Sequence, residues 1–185
     1  LSNQVLTVSD IVIRTYGAFT IDDRYVYTNE LSDYAGIFGH TTNVVDSNGG
    51  IDTVNASAVS TASTIYLDGP GGNISTIDGV NVTFQNIENA IGGDGSDIIG
   101  GTDAANELYG QRGNDTLKGY GGADTLHGDW GDDTLQGDAG DDTLYGGADA
   151  DMLMGGMGAD EIYGDAGNDT ITFVQSRAGV TVNLL

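Results

Sequence analysis

The chain has 185 residues, with 28 Asp and Glu against 5 Lys and Arg, a formal net charge of −23, 31 glycines and no cysteine. Such a polyanion repels nucleic acid and anionic membrane surfaces and attracts multivalent cations. Without cysteine, neither disulfides nor thiolate metal sites can brace the fold, and no run approaches the ~18 apolar residues that would span a bilayer.

The start, Leu1-Ser2-Asn3-Gln4, shows no initiator Met and no basic stretch leading into an apolar run, so it reads as a piece of a longer protein. Within residues 1–45, alternating runs at Gln4–Val8, Asp10–Arg14, Phe19–Ile21 and Arg24–Tyr27 predict β-strands of a cap or flanking domain. Residues 46–91 hold a Gly-rich turn, DSNGGIDT, and a short apolar strand, Thr64-Ile65-Tyr66-Leu67, and they end in IENAI just before Gly92. They predict a strand-rich lead-in to the segment that begins at Gly92.

Residues 92–172 are an internal repeat. Stepping by nine from Gly92 gives GGDGSDIIG, GTDAANELY, GQRGNDTLK, GYGGADTLH, GDWGDDTLQ, GDAGDDTLY, GGADADMLM, GGMGADEIY and GDAGNDTIT without an insertion. Position one is always Gly, and position eight is always Leu or Ile. Position six is Asp in every unit except the second, which has Asn106. Position four is Gly except at Ala104 and Asp149. The same stretch carries 18 of the 28 carboxylates, with Arg112 and Lys118 as its only fixed positive charges, which marks a boundary on each side. A disordered acidic tail has no reason to keep an aliphatic residue at every ninth position, whereas a stacked repeat does.

Each unit divides into a six-residue turn and a three-residue strand whose middle side chain, position eight, points inward. Glycines at positions one, two and four permit positive φ and let carbonyls crowd together. Carbonyls plus the position-six carboxylate suit Ca²⁺, which takes six to eight hard oxygens, better than the smaller and stricter Mg²⁺. Two units make one 18-residue turn, so loops n and n+2 stack. One edge carries the units at 92, 110, 128, 146 and 164, and the other those at 101, 119, 137 and 155. Five loops leave four gaps and four leave three, so seven ions is the ceiling. The gap between units 101 and 119 should be the weakest because of Asn106 and Ala104, and Asp149 should strain its loop. Stacked Asp columns repel without a cation, so folding and calcium binding should be coupled.

Units of the form GGxGxDxUx resemble the RTX, or hemolysin-type, calcium-binding repeat. The resemblance implies an all-β fold, a right-handed parallel β-roll with two short sheets, in which each bridging Asp serves two ions. It implies ligands in eight of the nine loops, drawn from the backbone of positions one to four and the carboxylate of position six. On the first edge these are Gly92, Gly93, Asp94, Gly95 and Asp97; Gly110, Gln111, Arg112, Gly113 and Asp115; Gly128, Asp129, Trp130, Gly131 and Asp133; Gly146, Gly147, Ala148 and Asp151; and Gly164, Asp165, Ala166, Gly167 and Asp169. On the second they are Gly119, Tyr120, Gly121, Gly122 and Asp124; Gly137, Asp138, Ala139, Gly140 and Asp142; and Gly155, Gly156, Met157, Gly158 and Asp160, with Asn106 as a further candidate. It also implies type I secretion from a Gram-negative bacterium and folding on extracellular calcium. Residues 46–93 resemble the lead-in of serralysin-type metalloproteases, which implies a further calcium at Asp46 and Asp52, although DSNGGID is one residue longer than the usual turn.

The last segment, 173–185, contains Gly179-Val180-Thr181-Val182-Asn183-Leu184-Leu185, similar to the strand around Ile65, and reads as the start of a further unit. No catalytic constellation accompanies the repeat. His40 and His127 lack a second His at metal-ligand spacing, and the paired carboxylates and GxG fragments are products of the period. Tyr109, Tyr145 and Tyr163 recur at position nine, as outward residues covering a sheet or as a stripe for polysaccharide, while Trp130 stands at a turn position. Two function classes are open to such a chain. One is a calcium-dependent folding and secretion module, itself not an enzyme, of a serralysin-like parent. The other is a glycan-recognition module of an extracellular polysaccharide-active enzyme, such as a mannuronan epimerase or lyase, or of an adhesin.

Overall fold

The computed structural model describes residues 5–7, 24–28, 43–45, 50–67, 74–174 and 179–184. Among them there is no helix. The strands are β1 (Val5–Thr7), β2 (Arg24–Thr28), β3 (Asn43–Val45), β4 (Thr53–Ala58), β5 (Thr64–Tyr66), β6 (Ser75–Ile77), β7 (Val80–Gln85), β8 (Asn89–Ile91) and β9 (Ile98–Gly100). They continue with β10 (Glu107–Arg112), β11 (Thr116–Gly121), β12 (Thr125–Trp130), β13 (Thr134–Ala139), β14 (Thr143–Ala148), β15 (Met152–Met157), β16 (Glu161–Ala166), β17 (Thr170–Ile171) and β18 (Thr181–Asn183). The expected runs at Asp10–Arg14 and Phe19–Ile21 lie outside the described residues.

Successive strands of the repeat alternate between two sheets. The first runs β1-β2-β4-β8-β10-β12-β14-β16-β18 and the second β17-β15-β13-β11-β9-β5-β6-β7-β3. Within the repeat all pairing is parallel, with Leu108 opposite Leu126 and Leu117 opposite Leu135, so one turn of the coil takes 18 residues. Among the described strands only β5-β6-β7 pair antiparallel. The lead-in shares these sheets: β4 pairs with β8, β8 with β10, and β5 with β9. At the other end β18 adds to β16.

The strands are longer than the nine-residue period suggests. Each of β10 to β16 runs six residues, from position seven through position three of the next unit, so only positions four to six form the turn, while β9 and β17 at the ends are shorter. Alternation then turns two columns inward, the aliphatic at position eight and the glycine at position one. Ile99, Leu108, Leu117, Leu126, Leu135, Leu144, Leu153 and Ile162 stack as a continuous buried ladder. Toward the N-terminal end the core broadens to include Val54, Ile65, Leu67, Ile77, Phe84 and Ile87. The array is one aliphatic side chain deep per strand, and the lead-in is thicker.

The glycines play different parts from those their shared identity suggests. Position one is not left-handed in any unit. Its requirement is space, because a Cβ on Gly146 would lie 2.5 Å from Asp151 Oδ2 and 2.7 Å from the Gly164 carbonyl. Position two carries the positive φ, borne by Gln111, Tyr120, Asp129, Asp138 and Asp165 as well as Gly147 and Gly156. Position four combines both constraints at Gly113, Gly122, Gly131, Gly140 and Gly158: Gly131, at φ 123°, faces the Gly113 carbonyl of the coil beneath so closely that no Cβ fits. Asp149, one of the two residues that replace glycine there, keeps the left-handed backbone at φ 80°, a conformation that Asp tolerates better than most residues.

Candidate metal centre

Turning between the sheets brings the position-six side chains into two buried columns, one on each edge of the roll. Asp97, Asp115, Asp124, Asp133, Asp142, Asp151 and Asp160 are each no more than 2% exposed. Their Oδ1 atoms tie the coils together. Asp115 Oδ1 accepts the Asp97 amide at 2.7 Å, Asp133 Oδ1 that of Asp115 at 2.7 Å, and Asp151 Oδ1 that of Asp133 at 2.8 Å. On the other edge Asp124 Oδ1 accepts from the Asn106 amide at 2.8 Å and Asp142 Oδ1 from that of Asp124 at 2.9 Å. Each carboxylate thereby spends one oxygen on the coil that precedes it.

The other oxygen is left bare. Oδ2 of Asp115, Asp124, Asp133, Asp142, Asp151 and Asp160 is buried with no hydrogen-bond donor. It points at the position-one glycine of its own unit, and for all of these except Asp160 the position-one carbonyl of the coil above also arrives there. Two acceptors thus converge in each gap, an arrangement that costs several kcal/mol unless a cation supplies the missing positive charge. No side chain does so. Lys118 pairs outward with Asp138 at 2.9 Å and lies over Tyr120, while Arg112 lies over Trp130. Among the described residues no three His, Cys, Asp or Glu side chains converge. An ion held here must therefore take most of its ligands from the backbone, as a hard, oxygen-seeking cation does.

Electrostatics lead to the same conclusion. Burial, the largest cause, pushes the carboxyls of Asp115, Asp124 and Asp133 up to about 7, with neighbouring carboxylates adding to it. Asp142 and Asp151 rise to about 6 for the same reason. Asp97 and Asp160 are raised as well. Without a cation these groups resist ionising. A divalent ion reverses that preference, and the residues present fit one.

The proposed ligands contribute unevenly. Side chains at positions two and three, such as Gln111, Tyr120, Asp129, Trp130, Asp138, Met157 and Asp165, lie at least partly at the surface, so only their backbone is available to the gap. The position-three carbonyls of Trp130, Ala148, Met157 and Ala166 each accept one amide from the coil below, leaving a second lone pair. Asn106 is satisfied on its own: Oδ1 accepts from the Thr102 amide at 2.7 Å, and Nδ2 donates to the Glu88 carbonyl at 2.6 Å. Asp52 is buried in the second-edge column, below Glu88, whose Oε2 accepts the Asp52 amide at 2.9 Å. Asp46 and His40 lie outside the described residues.

Two column members carry no clear mark in the sequence. Ser63 occupies the position-six place beneath Asp97, donating its amide to Asp97 Oδ1 at 2.6 Å, and Glu88 occupies it beneath Asn106. The nine residues before Gly92 do read TFQNIENAI, with Glu at position six and Ala at eight, but without the leading glycine. For Ser63 the register is broken, and the period gives no signal.

On the outer face of the first sheet, Tyr109, His127, Tyr145 and Tyr163 stack ring on ring, with centroids 4.5, 4.7 and 4.9 Å apart and planes within 11° of parallel. His127 is held below its ordinary basicity, chiefly by burial within this ladder. Trp130 is 56% exposed at the end of β12.

A family model for the RTX calcium-binding nonapeptide repeat matches this chain over residues 100–135, 127–162 and 136–171. No curated protein matches it. The matched span coincides with the coils whose gaps present bare carboxylate oxygens. Over residues 100–171 the chain is an RTX calcium-binding repeat array folded as a parallel β-roll, a module whose role is structural.

Proposed function

We propose that at neutral pH and above this roll closes fully only when calcium occupies the gaps between its stacked loops, and that it serves the export and stability of a larger extracellular protein. The observation that carries this reading is the row of buried Oδ2 atoms lacking any donor. In each gap the ion is held by the position-six carboxylate and by carbonyls of positions one to four. A chain of this kind stays loose where calcium is scarce, as in a bacterial cytosol, and closes where calcium is plentiful outside. Type I secretion from a Gram-negative cell fits that order of events. What supports a serralysin-like parent is the resemblance of residues 46–93, with their GGIDT and IENAI segments, to the lead-in of that family. The test is circular dichroism with EGTA, with millimolar Ca²⁺ and with millimolar Mg²⁺. A large loss of β-structure in EGTA, cooperative recovery with Ca²⁺ and none with Mg²⁺ is expected; β-structure unaffected by EGTA refutes the reading.

The second reading, glycan recognition by an epimerase- or lyase-type enzyme or an adhesin, rests on the Tyr109–Tyr163 ladder. Sugars stack on the faces of aromatic rings. Here the inner rings cover one another's faces and offer only their edges, which weighs against a glycan platform. Alginate binding measured with and without calcium separates the two readings, and no binding in either condition removes the second.

A further inference from the structure

The first coil of the array differs from all later ones in where its position-two amide points. In unit 92 the Gly93 amide donates to Asp97 Oδ2 at 2.7 Å, and in unit 101 the Thr102 amide donates to Asn106 Oδ1 at 2.7 Å. From unit 110 onward this bond is missing, and the corresponding Oδ2 of Asp115, Asp124, Asp133, Asp142 and Asp151 has no donor. The backbone changes at the same place. Gly93 and Thr102 avoid the left-handed region, whereas position two is left-handed in every later unit, with φ between 61° and 113°. Reversing φ reorients the peptide that joins positions one and two, and its N–H with it. The first coil therefore fills its own carboxylate hole with a protein amide, and later coils leave that hole to a cation.

The contacts beneath the first coil extend the pattern. Asp97 Oδ1 accepts the Ser63 amide at 2.6 Å, and Asn106 Nδ2 donates to the Glu88 carbonyl at 2.6 Å, so both position-six side chains have partners at each end. The core is also thickest here, where Ile65, Leu67, Ile77, Phe84 and Ile87 back the thin aliphatic ladder. Apolar burial and satisfied polar atoms supply in this region what the ion supplies further along.

Resting on the calcium reading above, we infer that the first coil, units 92 and 101 seated on residues 50–67 and 74–91, is a calcium-independent template, and that ions are required only in the five later gaps. Those gaps lie between units 110 and 128, 128 and 146, and 146 and 164 on one edge, and between 119 and 137, and 137 and 155 on the other. The calcium-loaded coils stack onto a preformed end, and the roll grows from its N-terminal side.

Two measurements on the whole chain test this. In native mass spectrometry at saturating calcium, Asp97→Asn should carry the same number of ions as the parent, whereas Asp133→Asn should lose at least one. In hydrogen exchange in EGTA, the amides of Ser63, Gly93 and Thr102 should stay protected while those of Asp115, Asp124 and Asp133 exchange freely. If Asp97→Asn loses an ion, or if the first-coil amides exchange as fast as the later ones, the template inference is overturned and calcium-driven folding still stands. If calcium neither binds nor alters exchange anywhere, the calcium reading itself falls.

Discussion

Metal-free chain transferred from pH 8 to pH 5 should regain β-structure. The folded state holds Asp115, Asp124 and Asp133 at about 7, above the 3.8 of an ordinary carboxyl, because burial disfavours their charged form. Their folded values are raised, so their stabilising contribution is fully present below about pH 4 and is lost as the pH climbs through 7. Three pH units correspond to about 4 kcal/mol for a single group, and because stacked carboxylates repel one another their contributions are shared and not simply summed; even one such group is a large part of the about 5–15 kcal/mol that stabilises a typical domain. Ionising the columns without a cation should thus be enough to open the roll, and protonating them should close it. Far-UV circular dichroism in metal-depleted buffer between pH 8 and pH 5 measures this, with sedimentation velocity to separate folding from association as the pH approaches the isoelectric point near 4.1. Calcium binding should show the opposite trend, tightening as the pH rises and releasing protons near pH 6. A metal-free chain as structured at pH 8 as at pH 5, or one that unfolds on acidification, contradicts the burial argument.

Other substitutions probe the stacking itself. Gly131→Ala places a Cβ against the Gly113 carbonyl of the neighbouring coil at φ 123°, so it should cost upwards of about 3 kcal/mol in urea unfolding at saturating calcium. Gly79→Ala, at φ 75° with open space around it, should cost about 1 kcal/mol, and equal losses at the two sites would show that close approach does not matter. Leu135→Ala opens a hole in the fully buried ladder and should cost about 2–5 kcal/mol in the same assay, with a loss below about 1 kcal/mol arguing against a tightly packed core.

Much of this molecule is written in its sequence. A nine-residue period with one aliphatic and one Asp per unit determines that Leu117, Leu135 and Leu153 share one column and Asp115, Asp133 and Asp151 another, because strand alternation and turn geometry are local properties that repeat with the residues. What lay beyond it are relations across the 18-residue step. Position one is glycine because the next coil's carbonyl and its own Asp crowd its Cα, and its φ is ordinary. Ser63 and Glu88 join the carboxylate columns through the packing of the lead-in against the first coil. The stacking that hides the tyrosine faces arises only once His127 falls between Tyr109 and Tyr145. The direction of the position-two amide, which decides where a buried Oδ2 has a donor, depends on the peptide's rotation within the stacked coil. Gly occurs at position two in unit 92, where that amide reaches the carboxylate, and also in units 146 and 155, where φ is left-handed and it does not. Residue type alone leaves that rotation open, and the neighbouring coil closes it.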